Sequence, residues 1–415
     1  MSRVADADGP TDVSLRQILR DAHEQEEQAA PSAREIIVDR KTGQARQAGA
    51  STPEGEFIKD LKLKAEKSLY VFTKGIIGRP FVIQSLHKPL CDYLQHCPPY
   101  RKGALLPREH VKTVIVGQCL PVHILIQPKG GLYFPSDEGS EAKIMLGAET
   151  MPLAQGNLRV VTHAFTSNPR VRAFWPHRCW GDQRQSRALA KKWNEIEIII
   201  PRDDETRDAT VVAIGVGGAA TGLHPNVFIK DDIIALEAAN SPTVMDTAYR
   251  WHLATRGMMN RDDALEFIIG TRWAVGDVYQ QIQEDDATVE WITRSVVENG
   301  KCIYPKEELP PKFRHLGWDL DKVARTKKAL RALFPLLYMN SSSDPELTDF
   351  NDADIRSFTF DGRNLVFEED DRDVMLMERF GASVPAVENN RGRVLTREHY
   401  HEMFSRGEYI RLKYA

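Results

Sequence analysis

The chain has 415 residues, 42% of them hydrophobic, and its 55 Lys and Arg nearly balance 59 Asp and Glu for a formal net charge of −4. That length allows one large core with smaller attachments, and the composition is ordinary for a globular protein. A near-neutral balance excludes the overall basic footprint of a dedicated nucleic-acid binder, although it leaves room for a protein that grips such a polymer transiently.

Residues 1–54 are polar and charged, with Glu24, Glu26 and Glu27 in one run and no sustained apolar period, so a flexible charged arm is expected there. The next unit is expected over 55–343. Phe57, Ile58, Leu61, Leu63, Leu69, Tyr70 and Phe72 suggest a helix, Gly75 to Pro80 a break, and Leu86, Leu90, Tyr93 and Leu94 a second helix. Pro98 and Pro99 then separate that helix from a first core strand at 103–106.

The following stretch, Leu105-Leu106-Pro107-Arg108-Glu109-His110-Val111-Lys112-Thr113, reads as a strand end, a tight loop and a helix opening on Lys-Thr. A phosphate-binding loop has this form: N–H groups at a helix N-terminus cradle phosphates, a Lys reaches their oxygens, and a Thr hydroxyl holds Mg²⁺. The consensus G-x-x-x-x-G-K-[ST] has glycine where this chain has Leu106 and Val111. The competing reading is a surface turn with a solvated Lys.

Residues 127–140 are rich in Gly, Pro and Ser and read as an exposed loop. A strand is expected at 144–147, a helix from Thr150 through Leu158 and Val161, and a β-hairpin from 195–200 and 209–214. Between them, Arg170, Arg172, Arg178, Arg184, Arg187, Lys191 and Lys192 alternate with Trp175, Trp180 and Trp193. Such a segment either contacts a nucleic-acid backbone or is a helical face with buried rings and solvated charges. Gly215, Gly217 and Ala220 mimic a dinucleotide fingerprint, but Pro225 and a further strand follow where that fingerprint needs a helix.

Asn226 to Ile234 is a β-branched and aromatic run that ends on Asp231-Asp232, the form in which one acid reaches Mg²⁺ and a second an attacking water. Ser241 and Pro242 open a helix that runs to Arg256. Leu265 to Gly270 is another apolar strand, which ends on Thr271-Arg272-Trp273. Asp277 to Ile282 suggests a helix, 291–297 and 302–304 the last core strands, and 316–337 a helical register. Three strands ending in chemically useful groups predict an α/β fold with a mainly parallel central sheet flanked by helices, its ligand at the carboxyl ends of the strands.

In their order, the deviant loop at 107–113, the strand 143–150, the Gly-rich lead 214–224 into Asp231-Asp232, and Gly270-Thr271-Arg272-Trp273 resemble the large terminase subunits of tailed bacteriophages, which are DNA-packaging ATPases. The resemblance spans roughly residues 55–350. It implies a P-loop NTPase fold of the ASCE type, with ATP and Mg²⁺ as cofactors. Pro107 through Thr113 would bind nucleotide, Arg108 and Lys112 neutralising its phosphates and Thr113 and Asp231 holding the metal. Asp232 would polarise the water, or the two acids would exchange roles, and Thr271 with Arg272 would sense loss of the γ-phosphate. Gln84 or Gln95 would seat the adenine. The implied partners are double-stranded DNA, the portal protein, the small terminase subunit and further copies in a ring, without a membrane, in the cytoplasm of an infected bacterium.

The chain departs from that pattern in two places. Some family members carry a trans-acting arginine where this chain has Thr221, which leaves Arg172, Arg256 or Arg272 as candidates. Residues 344–415 are too few for the family's nuclease domain, and the contiguous Glu368-Glu369-Asp370-Asp371 reads as a solvated turn, so this part is expected to be a linker and C-terminal segment. Two alternatives accompany the motor reading: a non-hydrolysing nucleotide- or DNA-binding scaffold, and a metal-dependent nuclease. Five scattered cysteines without a C-x-x-C pair argue against disulfides or a zinc knuckle. No stretch is apolar enough for a signal peptide or a membrane span, so a soluble, unexported chain is expected.

Overall fold

Five-residue runs of apolar side chains, too short for helices and bounded by turn residues, build the centre of the molecule. The computed structural model describes residues 53–341, except 129–130, 135–141, 203–207, 219–221, 240 and 260, together with 358–361 and 364–367. The strands of the main sheet are β1 (Arg101–Leu105), β2 (Ile144–Ala148), β3 (Glu197–Ile198), β4 (Val211–Gly215), β5 (Val227–Asp231), β6 (Leu265–Gly270) and β7 (Glu290–Thr293). They lie in the order β3-β4-β2-β5-β6-β1-β7. Every neighbouring pair is parallel except β3 with β4. The expected α/β class with a mainly parallel sheet is therefore the observed one, and the hairpin expected near 195–214 is its antiparallel edge.

Parallel strands are buried on both faces, which is why β2, β5 and β6 carry no exposed residue. Alternation divides their side chains between two apolar clusters. Val227, Ile229, Phe267 and Ile269 pack on one face with Ile115, Val116 and Leu158. Phe228 and Ile268 pack on the other with Ala248, Trp251, Tyr279 and Ile282. Helices accordingly cover both faces. Pro242–Arg256 begins as its Ser-Pro signature predicts, with Ser241 accepting from the Val244 N–H.

Lys102 is almost fully buried and donates to the Tyr93 and Leu94 carbonyls at 2.7 and 3.1 Å, and to that of His96. It thereby caps the end of helix Gln84–Gln95 against the strand that leads to the loop. Two expectations need correction. Residues 302–304 are not a core strand, since Val297–Glu298 and Lys301–Cys302 form a separate two-stranded hairpin. The region 316–337 is broken into the helix Leu320–Leu330 and the π-helical turn Pro335–Met339.

Two compact units are distinguished, Met1–Leu347 and Thr348–Ala415. In the second, Phe358–Asp361 pairs antiparallel with Asn364–Phe367. The expected arm at 1–54 falls outside the described residues but for its last two, and the acidic run 368–371 does so wholly. No helix among the described residues is long and apolar enough to cross a membrane.

Candidate nucleotide site

The β1 strand leaves the sheet at Leu105, the chain turns through Pro107 to Val111, and a helix starts at Lys112. It runs through a π-helical turn, Val114–Cys119, into Leu120–Leu125. Glu109 and Val111 both have left-handed backbones, with φ of 66° and 67°. For a β-branched residue that is a true outlier, costing about 1–2 kcal/mol. Val111 stands at the consensus glycine before Lys-Thr, so the loop keeps the conformation for which glycine is ordinarily needed. The strain is held from beneath. His110 is buried, stacks on Trp318 at 5.7 Å, and pairs through Nδ1 with the Arg108 carbonyl at 2.8 Å. Its own carbonyl lies 3.2 Å from His87 Nε2. Burial lowers the His110 pKa to about 3, so the ring is neutral.

Three strand ends converge on this loop. Lys112, 7% exposed, donates from Nζ to Thr271 Oγ1 at 2.7 Å and lies 3.1 Å from Asp232 Oδ2. Thr271 in turn donates to the Leu106 carbonyl at 3.1 Å. Thr113 Oγ1 donates to Asp231 Oδ1 at 3.1 Å, and Asn157 Nδ2 donates to Asp231 Oδ2 at 3.0 Å. Asp231 falls on the same face as Val227 and Ile229, which is the face of the loop helix. The period-two pleat thus decides which acid meets Thr113. Burial pushes the Asp231 carboxyl up to about 7. The Asp232 charge adds to the rise, and Lys112, Asn157 and Thr113 oppose it. Asp232 itself has φ 45°, and its Oδ1 is a buried oxygen without a hydrogen-bond partner.

These residues fit Mg²⁺ with a triphosphate. A hydroxyl and a carboxylate stand side by side, an orphaned carboxylate oxygen lies next to them, and a helix N-terminus and a buried ammonium face the loop. Mg²⁺ at nucleotide sites takes only one or two protein oxygens and completes its shell with phosphates and waters. No cluster of three or more His, Cys, Asp or Glu suited to a metal occurs among the described residues.

Other sequence-derived candidates lie elsewhere. Arg108 is exposed, with its guanidinium 5.2 Å from the Trp273 ring centre and its backbone N–H on the Leu337 carbonyl. Glu109 is also exposed and pairs with Lys322 at 3.6 Å, while Pro107 is buried. Arg272 turns away from Lys112 and bonds the Asn340 carbonyl, Asp277 and Gln283 at 3.1, 3.3 and 2.5 Å. Arg256 is tied to Asp286 and Thr288, and Arg172 is exposed. Thr221 lies outside the described residues.

Gln95 is used within the fold, accepting from Leu69 N–H and donating to the Lys67 carbonyl. In the basic–aromatic segment, Trp175 is buried and donates to Glu66, and Trp180 donates to the Ile199 carbonyl. Arg172, Arg184, Arg187 and Lys191 point to solvent. That is the helical-face arrangement, with rings inward and charges outward.

Sequence reasoning missed Asn157 and Gly117. Asn157 sits on the buried stripe Ala154, Leu158, Val161, Phe165 of helix Met151–Ser167, and a lone amide in such a stripe was the available signal. At Gly117 a Cβ would come within 2.7 Å of both Asn157 Nδ2 and Asp231 Oδ2. Nothing local in the sequence marks that close approach.

No protein-family model and no curated protein matches the chain. Among solved structures, the crystal structure of the HK97 bacteriophage large terminase is similar, with a TM-score of 0.38 and 14% identity over 64% of this chain. The chain spans about half of that structure's length, 51%. A likeness of this size assigns neither activity nor partner.

Proposed function

We propose that this chain is an ATP-hydrolysing motor that translocates double-stranded DNA, the ATPase portion of a terminase-like packaging machine. The observation that carries the ATPase part is the convergence of Lys112, Thr113, Asp231, Asp232 and Thr271 from three strand ends around one strained loop. The DNA-packaging part rests on the order of motifs along the sequence.

In this mechanism the loop N–H groups and Lys112 hold the β- and γ-phosphates, with Arg108 swinging from Trp273 as a further cation. Thr113 and Asp231 would hold Mg²⁺, which would supply charge neutralisation on the phosphates, and Asn157 orients the Asp231 carboxylate from behind. Asp232 orients the attacking water. Thr271 touches Lys112 directly, so departure of the γ-phosphate changes the Thr271 hydrogen bond at the end of β6. Arg272, the next residue, fastens that strand end to Asn340, which gives a route from the phosphates to the C-terminal part of the first unit. Double-stranded DNA, a portal protein, a small terminase subunit and further copies in a ring are the proposed partners, in the cytoplasm of an infected bacterium.

The test is phosphate release from ATP with and without double-stranded DNA, for the wild type, Lys112→Ala and Asp232→Asn. DNA-stimulated release lost in both variants supports the motor. Tight ATP binding without release favours the scaffold, to which the valine in the glycine position also points. Metal-dependent DNA cleavage insensitive to Lys112→Ala favours a nuclease.

A further inference from the structure

Glu149 follows β2 directly. The β2 and β5 strands run parallel with Ala148 level with Asp231, and the Glu149 N–H donates to the Asp232 carbonyl at 3.0 Å. The two strand ends are thereby fastened together, and Glu149 stands beside Asp232 at the carboxyl edge of the sheet. Glu149 is half-buried, and its carboxylate makes no hydrogen bond or ion pair with any described residue. The Asp232 carboxylate differs in length and in its cation. It is a methylene shorter, and its Oδ2 is engaged by the Lys112 ammonium at 3.1 Å. A longer carboxylate that no described residue engages stands one strand away, with room to reach the water that Asp232 faces. Partial burial, with the Glu237 and Asp232 charges adding to it, also raises the proton affinity of Glu149.

We propose that Glu149 is a second catalytic carboxylate of this site, the base that takes the proton of the water Asp232 orients. The inference rests on the ATPase reading above. In the step, the water oxygen forms a bond to the γ-phosphorus while one water proton passes to the Glu149 carboxylate. The bond from the γ-phosphorus to the bridging oxygen breaks, and its electron pair leaves on ADP. The products are ADP and inorganic phosphate, and Glu149 returns its proton to solvent. Nothing is oxidised or reduced.

The experiment compares the whole chain as wild type, Glu149→Gln, Glu149→Asp and Asp232→Asn in two assays. One is phosphate release with Mg²⁺-ATP, and the other is the Kd of a fluorescent ATP analogue. Glu149→Gln is expected to lose about a hundredfold or more in release, the scale of general-base catalysis, while its Kd stays within about threefold of wild type. Partial recovery of release in Glu149→Asp, again with unchanged Kd, is expected for a proton acceptor. Release by Glu149→Gln within about threefold of wild type overturns the proposal. A Kd that weakens in step with release also overturns it, since Glu149 would then serve binding or folding. A wild type that binds the analogue but releases no phosphate overturns the ATPase reading, and this proposal with it.

Discussion

Behind Asp231, on the opposite face of the sheet, lies a buried ion pair whose removal has a calculable cost. Lys230 and Glu266 are both 0% exposed, with Nζ 2.6 Å from Oε1. Lys230 also meets His252 Nδ1 at 2.9 Å and lies 4.7 Å from the Phe228 ring centre. The second oxygen of Glu266 has no partner. Burial lowers the Lys230 pKa and Glu266 opposes the fall. Glu266→Ala leaves an ammonium in an apolar layer without a counter-charge, beside the His252 carbonyl, two aromatic rings and an imidazole that is neutral because burial and the Lys230 charge hold its pKa down at about 2. Breaking one side of such a pair costs about 3–5 kcal/mol.

The double variant Lys230→Met with Glu266→Leu removes both desolvation penalties and fills similar volume. It is expected within about 1 kcal/mol of wild type, or more stable. Urea unfolding of the wild type, Lys230→Met, Glu266→Leu and the double variant closes the thermodynamic cycle, with Glu266→Ala measured beside it. If Glu266→Ala costs less than about 1 kcal/mol, or if the double variant loses the sum of the singles, the two charges are not coupled and the reasoning fails.

Four other outcomes are expected. Lys112→Ala removes a charge-assisted hydrogen-bond donor, worth about 1.5–3 kcal/mol, so it should weaken ATP binding roughly ten- to a hundredfold; an unchanged Kd in an analogue titration refutes a phosphate role. Asp231 holds its proton more tightly in the folded chain, at about 7 against a reference of 3.8. Its contribution to stability is therefore complete below about pH 4 and falls as pH rises to about 7, while Mg²⁺-nucleotide binding, which displaces the proton, tightens over the same window. Calorimetry at pH 6 in two buffers of different ionisation heat should detect the released proton, and its absence would count against Asp231 as the metal ligand. Gly117→Ala drives a methyl against Asp231 and Asn157, so Mg²⁺-dependent binding should fall while binding without metal changes little, as titration with and without chelator would reveal. At Val111 the usual order of substitutions should reverse: Val111→Gly should be more stable than Val111→Ala by up to about 1 kcal/mol, because only glycine accepts φ 67° without strain. A more stable alanine variant in thermal unfolding would contradict the left-handed loop.

By itself the sequence determined what is local. The apolar runs at 144–147, 227–231 and 265–270 are strands because short β-branched segments bounded by turn residues have no other way to bury themselves. Asp231-Asp232 and Thr271 were legible as candidates because each ends such a run, and Lys112-Thr113 because it opens the helix after one, where a parallel sheet leaves side chains open to a ligand. The Ser241-Pro242 helix start and the inward-facing tryptophans were legible for similar reasons.

What joins these pieces was decided only in three dimensions. That Thr271 touches Lys112 follows from β6 lying between β5 and β1, an order no residue encodes locally. Arg272 follows Thr271 in sequence yet bonds Asn340, since adjacent residues at a strand end face opposite ways. Gly117, Glu149 and Asn157 lie far along the chain from Asp231 and Asp232 and meet them only through packing and strand register. The left-handed Val111 was invisible for the opposite reason. Its sequence argues against that backbone, and it is the packed layer of His110, Trp318 and His87 beneath the loop that accompanies it. Local propensity chose the elements, and long-range burial chose which of their ends would share a site.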